Sequence, residues 1–427
     1  MRRLQTGSWT GEKGRNRGAP FRHMGEDRGD VALAAPFAST LRERCMPATA
    51  KDDEVGRMTT PIDTIWYSRC PSPTASSIAI TGGWLQREFH GTGVDVRSLR
   101  AAEDRSVRRT HFTHPHDALF RQGGIVPPLW AAANGTATRL IGLSEIPRFQ
   151  GVISLPGSGI NSPADLRVRR LALPRRTTEP IDFWRAQSWR GLLNVLAIAG
   201  IGEDEVTWAD LPTDAPYHIA KPQSLDGSLW TVREASRLQT PEVLALVRGE
   251  VDAIYTYAPT GLELIDLLGA YVVASLPNIG PWVAGIGTIA ALTVSQRLLD
   301  ERGELVTRYV SALLEAAEWA QTHQADALRV FAAEEGVPEE WAAASYGASK
   351  ALDLRPDLSP HRVASLQVEA DFLFERGLVS RRVDVEEWCD ETPLRLARQY
   401  MGGVADEEPL LRRDWHRHAL VTQRKTA

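Results

Sequence analysis

Hydrophobic and polar positions divide the 427-residue chain into three stretches of different character. Residues 1–60 show no periodicity and are rich in Gly, Arg, Asp and Glu, so we expect them to form a disordered N-terminal extension. An alternative is a translation start at Met58, directly before the first ordered pattern. From Ile62 short apolar runs alternate with amphipathic segments, and from Thr293 the pattern is almost wholly helical.

Strands and helices alternate in a first α/β unit that ends near Pro156. Residues 64–68 predict a short buried strand, and residues 74–89 predict a helix whose N-cap is Ser72. Further strands are predicted over 94–99, 138–143 and 151–155, and a short helix over 127–133.

A second α/β unit, residues 158–255, holds predicted helices over 184–199 and 241–248 and a strand over 251–257. Such alternation predicts parallel, doubly wound sheets, whose ligand crevices lie at the carboxyl ends of the strands. Two α/β units and a helical tail resemble the two-lobed, periplasmic-binding-protein-like (type II) fold. We therefore expect lobe 1 over 61–156 and 257–427, including the C-terminal helical tail, lobe 2 over 157–256, and hinges near 156–158 and 257–260.

The net charge and the cysteine content limit which binding partners and which cellular compartment we expect. With 49 Lys+Arg against 54 Asp+Glu the net charge is −5, so we expect a small-molecule partner, no nucleic acid and no membrane. Three cysteines cannot build a disulfide framework, which fits a reducing cytosol. Because the chain shows no cleavable signal pattern and no run of about 18 apolar residues, we expect a cytoplasmic protein, and we expect a monomer.

Cys70 follows a predicted strand and precedes the predicted N-cap Ser72 by two residues. A helix N-terminus stabilises a thiolate and lowers the pKa of a thiol, so Cys70 is a candidate reactive cysteine. The competing interpretation, a small buried apolar side chain, stays open at this point.

A second group of polar residues runs from His111 to Gly124. Arg121 presents a planar fork of donors, and the glycines Gly123 and Gly124, which break the predicted pattern, can turn backbone N–H groups towards the same ligand. The segment therefore predicts a site for carboxylate, sulfonate or sulfinate; a plain surface turn is the alternative. His114 and His116 share one face of an extended chain while His111 points to the other, so we predict no metal site.

Three motifs resemble those of the 2'-hydroxybiphenyl-2-sulfinate desulfinase family: Tyr-Ser-Arg-Cys-Pro at 67–71, His-Phe-Thr at 111–113 and Arg-Gln-Gly-Gly at 121–124. The resemblance implies an enzyme without metal or cofactor that cleaves an aryl carbon–sulfur bond and releases sulfite. It implies Cys70, His111 and Arg121 as catalytic residues, and substrate contacts from Arg121, Gly123, Gly124, Ser68 and Trp189. His114 and His116 depart from the family's Tyr and Gln.

The chemistry of Cys70 has two alternatives. Its thiolate attacks sulfur, or its thiol protonates the ring carbon that bears sulfur. Two other functions compete with desulfination: a transporter-type solute-binding protein for sulfonate, nitrate or taurine, and a pyrimidine synthase on the same scaffold. The second is disfavoured because the sequence has no cysteine-rich cluster.

Overall fold

The computed structural model describes residues 61–70, 72–145, 148–217, 238–276, 288–346 and 352–404. The predicted N-terminal extension, residues 1–60, lies outside the described residues. The ten strands of the described chain are β1 Thr64–Arg69, β2 Asp95–Ser98, β3 Leu119–Gly124, β4 Thr138–Glu145, β5 Gln150–Ser154, β6 Arg170–Arg176, β7 Thr207–Thr213, β8 Ile254–Tyr257, β9 Tyr271–Ser275 and β10 Ile289–Ser295.

Helices alternate with these strands and make up the C-terminal part. They are α1 Ala75–Thr81, α2 Trp84–Phe89, α3 Arg105–Thr113, α4 Val126–Ala133, α5 Phe183–Ile198, α6 Thr240–Val247, α7 Ala258–Leu268, α8 Gln296–Glu301, α9 Gly303–Thr322, α10 Gln324–Glu335, α11 Glu339–Tyr346, α12 Pro360–Glu375, α13 Val385–Trp388 and α14 Thr392–Val404. None of the described helices is long and apolar enough to cross a membrane.

The largest sheet has the strand order β2-β1-β3-β10-β4. β1 runs parallel to β2 and β3, whereas β10 runs antiparallel to both β3 and β4. In the smaller sheets β5 lies antiparallel between β8 and β9, and β6 pairs parallel with β7. The prediction of parallel sheets is therefore wrong where β10 pairs with β3 and β4. β10 comes from far along the chain, and local periodicity does not show in which direction a strand pairs.

The predicted helix over residues 74–89 is two helices, because Gly82 and Gly83 interrupt it. Gly83 has φ +80°, a backbone conformation that side chains with a Cβ disfavour. The N-cap is Thr74 rather than Ser72: Thr74 Oγ1 accepts a hydrogen bond of 3.4 Å from the backbone N–H of Ser77. The predicted helices near 127–133, 184–199 and 241–248 are confirmed as α4, α5 and α6.

Two functional segments differ from the sequence prediction. The segment that carries His111 is the helix α3 rather than an extended chain; Asp104 caps it, and it ends at His114 with φ 55°. Gly123 and Gly124 do not break the chain but end the strand β3, where they pair with Ala291 and Ala290 of β10. β3 and α3 thereby bring two of the predicted motifs to one end of β1.

The apolar face of α9 packs into the main hydrophobic core, as its spacing predicts. Phe120 of β3 stacks on Tyr309 of α9 with 3.8 Å between the ring centroids, and both side chains are fully buried. This packing fixes β3 against the helical layer. The lobe boundaries at residues 156–157 and 256–257 stay a prediction.

Candidate active site

Cys70 lies directly after β1 and beside the C-terminal end of β3. Its backbone N–H donates to the carbonyl of Gln122 at 3.1 Å, which continues the parallel ladder by one residue. A Cβ at Gly123 would lie 2.5 Å from Cys70 Sγ, so only glycine admits the sulfur there. The strand ends thus position the thiol, as the sequence predicts for a crevice at the carboxyl ends of parallel strands.

His111 faces Cys70 from the last turn of α3. Its Nε2 lies 3.6 Å from Cys70 Sγ, and its Nδ1 lies 2.6 Å from Oγ of Ser68 on β1. Burial lowers the pKa of the His111 imidazole well below its usual value, and the positive charges of Arg121 and Arg100 lower it further. His111 is therefore neutral at pH 7 and able to accept a proton.

Arg121 completes the group from β3, with its side chain 1% exposed. Its Nη2 donates to Cys70 Sγ at 3.4 Å, its Nη1 to the Gly124 carbonyl at 2.8 Å, and its Nε to the His111 carbonyl at 3.3 Å. The guanidinium is thus held rigidly with its charge beside the sulfur. Such a charge favours anionic ligands next to it.

The helix dipole does not supply this charge, contrary to the sequence prediction. α1 begins only at Ala75, has seven residues and is capped by Thr74, so Cys70 lies well outside its first turn. The positive charge next to the thiol comes from Arg121 instead. Cys389 is different in kind: burial raises the pKa of its thiol to about 11, with nearby Glu386 and Asp384 adding to the shift.

A cavity of about 860 Å³ opens at this group, and Ser68, Cys70, His111, Arg121 and Gly124 all line it. Its volume lies within the range of small-molecule binding sites. The structure therefore brings five of the predicted site residues together in one cavity. Their roles stay predictions.

One wall of the cavity consists of stacked aromatic side chains. Phe112, next to His111, stacks on Phe183 at 6.0 Å between centroids, and Phe183 stacks on Tyr217 at 4.1 Å. We call these three side chains the aromatic wall. Phe183 and Tyr217 were not predicted from the sequence, because no local pattern shows that they face this cavity.

Trp189 does not line this cavity, contrary to the prediction. It lies on α5 facing Trp208 and Phe372, with centroid distances of 6.4 Å to each ring, and Arg376 lies over it at 4.9 Å. The neighbouring turn of α5 instead directs Phe183 and Gln187 to the cavity. A helix rotates successive residues by about 100°, so residues two apart in sequence, such as Gln187 and Trp189, face different directions.

The three histidines do not converge. His114 is 2% exposed at the left-handed end of α3, and its two ring nitrogens have no partner among the described residues. His116 packs against Trp66 at 5.4 Å and faces a separate surface cavity. Among the described residues no group of three His, Cys, Asp or Glu side chains has the arrangement of a metal site.

Arginines of the cavity other than Arg121 were missed from the sequence. Arg100 and Arg108 line it and are not buried, while Arg148 and Arg176 are buried, with 8% and 6% exposure. Arginines are common at surfaces, and this sequence contains many, so nothing in the local pattern marks these two. Only the fold shows which guanidinium groups point inwards.

Comparisons with known proteins agree with the geometry, although no family model matches the chain. The chain is 29% identical over 354 residues to 2'-hydroxybiphenyl-2-sulfinate desulfinase of Rhodococcus erythropolis, covering 77% of this chain and 91% of the relative. The protein of the same name from Rhodococcus qingshengii has the same identity and coverage.

Solved structures show the same relationship. The chain is 26% identical to DszB in a crystal structure of a cysteine-to-serine mutant with biphenyl-2-sulfinic acid, with a TM-score of 0.61, covering 80% of this chain and all of DszB. A sulfonate-binding protein from Methylobacillus flagellatus KT is 16% identical with a TM-score of 0.58, covering 80% of this chain and 95% of that one, and shows the fold alone. The two-lobed binding-protein-like α/β fold and the resemblance to the 2'-hydroxybiphenyl-2-sulfinate desulfinase family, both predicted from the sequence, are confirmed.

Proposed function

We propose that this protein is an aromatic sulfinate desulfinase that hydrolyses an aryl carbon–sulfur bond and releases sulfite and the phenolic arene. One observation carries the proposal: Cys70 Sγ lies within 3.6 Å of His111 Nε2 and 3.4 Å of Arg121 Nη2 beside an aromatic wall. The names of the relatives and the biphenyl-2-sulfinic acid bound to DszB supply the substrate class, here 2'-hydroxybiphenyl-2-sulfinate or a similar compound. The reaction needs water and no oxidant, because it is redox-neutral overall: sulfur gains the oxygen of water, and the ring carbon keeps the electron pair of the broken bond and gains a proton.

The two ends of such a substrate bind to different parts of the cavity. The sulfinate is a two-oxygen anion and belongs at Arg121, next to Cys70 and Gly124. The rings belong against the aromatic wall of Phe112, Phe183 and Tyr217, where stacking and burial of apolar surface stabilise them. This arrangement sets the sulfur next to Sγ of Cys70.

The geometry favours a nucleophilic role for Cys70 over a proton-donor role. Neutral His111 takes the thiol proton, and Arg121 stabilises the resulting thiolate. The thiolate forms a bond to sulfur while the carbon–sulfur bond breaks, and the ring carbon takes the proton from His111. Water then adds its oxygen to sulfur, the sulfur–sulfur bond breaks to return the thiol, and sulfite leaves.

A turnover assay tests the proposal. The wild-type protein is incubated with 2'-hydroxybiphenyl-2-sulfinate, and sulfite and fluorescent 2-hydroxybiphenyl are measured together; we expect equal amounts of both. Cys70→Ser should lower turnover by at least about a thousandfold, because it removes the group that forms the covalent bond. The matched control Cys389→Ser changes a cysteine that does not line the cavity and should keep wild-type turnover.

Two outcomes would contradict the proposal. Appreciable turnover by Cys70→Ser would remove the cysteine from the mechanism. Tight binding of sulfinates and sulfonates without sulfite release by the wild type would favour the solute-binding class instead.

A further inference from the structure

Arg176 is a buried cation whose donors are mostly unused. It ends β6, lines the cavity and is 6% exposed. Its Nη2 donates to the Leu238 carbonyl at 3.3 Å, while Nε and Nη1 are buried without a hydrogen-bond partner among the described residues. A guanidinium that loses water without gaining partners is costly, so the fold holds these donors ready for a ligand.

Nearby carboxylates do not take up these donors. Asp182 accepts hydrogen bonds from the Tyr217 hydroxyl at 2.7 Å and from the backbone N–H of Arg176 at 2.6 Å. Glu242 accepts from the Trp184 indole N–H, and burial raises the pKa of Glu242 to about 7. Asp182 is therefore engaged elsewhere. Glu242 keeps one oxygen, Oε2, without a described hydrogen-bond partner, and the charge of Arg176 opposes the rise of its pKa. Neither acid forms a described ion pair with the Arg176 side chain.

The aromatic wall links Arg176 to the reactive cysteine. The Arg176 guanidinium carbon lies 4.3 Å from the ring centroid of Tyr217. The centroids of Tyr217 and Phe112 are 5.8 Å apart, and Phe112 contacts the His111 ring at 4.9 Å. The aromatic wall therefore contacts both Arg176 and the group that holds Cys70, and a ligand on the wall shares one cavity with both.

Arg148 adds to the positive charge of the same cavity. It is 8% exposed, its Nε is buried without a partner among the described residues, and its guanidinium carbon lies 5.8 Å from the Tyr257 ring centroid. Tyr257 also lines the cavity. The cavity thus has more buried positive charge than one sulfinate neutralises.

We propose that the substrate carries a second anionic group, a carboxylate on the ring remote from the sulfinate, and that Arg176 binds it. This inference rests on the proposed function and narrows its substrate class to doubly anionic aryl sulfinates. A carboxylate fits because the planar guanidinium fork matches its two oxygens, whereas a neutral phenol offers one oxygen and no charge.

Binding of sulfonates that cannot be cleaved tests this inference apart from turnover. Dissociation constants are measured by calorimetry for biphenyl-2-sulfonate and for its 2'-hydroxy, 2'-carboxy and 4'-carboxy derivatives. We expect the better carboxy derivative to bind the wild type at least about tenfold more tightly than the unsubstituted and hydroxy compounds, as a charge-assisted hydrogen bond requires.

Variants assign the preference to Arg176. Arg176→Met should abolish the carboxylate preference, measured as the ratio of the two dissociation constants within that variant, and Arg176→Lys should keep part of the preference. The matched control is Arg175→Met, which removes the same charge from the exposed face of β6, where Arg175 pairs with Asp210. Arg175→Met should keep the full preference.

Three results would overturn the inference. The wild type binds no carboxy derivative more tightly than biphenyl-2-sulfonate, or it binds the hydroxy derivative as tightly as the better carboxy derivative. The third is an unchanged carboxylate preference in Arg176→Met. Failure of the proposed function would give a different result. If the wild type releases no sulfite from any aryl sulfinate but keeps the carboxylate preference, the desulfinase function is contradicted and the second anion site is supported.

Discussion

Ser68 determines which nitrogen of His111 is free to exchange a proton with Cys70. Its hydroxyl lies 2.6 Å from Nδ1, which leaves Nε2 towards the sulfur. Ser68→Ala should lower kcat by about tenfold or more, the effect of one lost hydrogen bond on a charged transition state, while KM stays near the wild-type value.

Steady-state kinetics with 2'-hydroxybiphenyl-2-sulfinate measure this effect. Ser68→Thr keeps the hydroxyl and should recover most of the rate. A Ser68→Ala variant whose kcat equals that of the wild type would show that the hydroxyl does not position His111.

Acid should inactivate the enzyme only well below pH 6.5. The pKa of His111 is lowered, so the imidazole stays neutral through neutral pH and becomes protonated only at lower pH, where it no longer accepts the thiol proton. Removing the positive charge of Arg100 reverses one cause of that shift. In Arg100→Gln the acidic limb of kcat/KM should therefore move to higher pH.

The pH–rate profile of Arg97→Gln is the control, because Arg97 is exposed and is not among the causes of the shift. An acidic limb at the same pH in Arg100→Gln and wild type would contradict the assignment of that limb to His111.

The lowered pKa values of two buried histidines also predict how the stability of the fold depends on pH. Burial lowers the pKa of both His111 and His114, so the unfolded chain binds more protons than the folded one below pH 6.5. The stabilisation is fully present above pH 6.5 and is lost progressively as the pH falls from there through the lower pKa values of the folded state.

At the scale of elements, α5 packs closely on β8 through Gly191. A Cβ at Gly191 would overlap Cε2 and Cδ2 of Tyr255. The Tyr255 ring is fully buried, and its hydroxyl donates to Gln150 Oε1 at 2.7 Å, so the ring cannot retreat. Gly191→Ala should therefore lower the free energy of unfolding by about 1–3 kcal/mol despite the better helix propensity of alanine.

Urea unfolding followed by circular dichroism measures this change. Gly303→Ala is the matched control, since Gly303 also lies in a helix and has open space around its Cβ position. It should not destabilise the protein. Equal stability of Gly191→Ala and wild type would show that α5 and β8 are farther apart than described.

Elements also explain which sequence predictions were right. α4 and α5 were predicted to within one or two residues because their caps and apolar spacing are local features. The run from Gly123 to Gly124 was interpreted as a break, since glycine alone favours turns. It is strand because β10 pairs with it from residues far along the chain.

At the scale of the whole molecule, the two-lobed fold predicts closure on a ligand. Hinges near residues 156–158 and 257–260 would let the parts that carry Arg121 and Arg176 approach around the substrate. Biphenyl-2-sulfonate should therefore decrease the radius of gyration of the wild type in small-angle scattering, and should leave Arg121→Ala unchanged at the same concentration. An unchanged radius in the wild type would contradict closure.

The cytoplasmic location and the monomeric state stay predictions at this scale. The charge of −5 and the absence of a basic excess agree with a small-molecule substrate.

The sequence by itself identified the candidate reactive group. Cys70, His111 and Arg121 stand in short motifs that resemble those of the desulfinase family, and such motifs are legible without the fold. The structure brings the three side chains together, and their catalytic roles stay a prediction. Only the tertiary structure decided the rest of the cavity: that Trp189 faces away, that Phe183 and Tyr217 join Phe112 in the aromatic wall, and that Arg176 is buried against Tyr217. These contacts join residues that are distant along the chain, and such packing is fixed by the arrangement of elements, which local patterns do not contain.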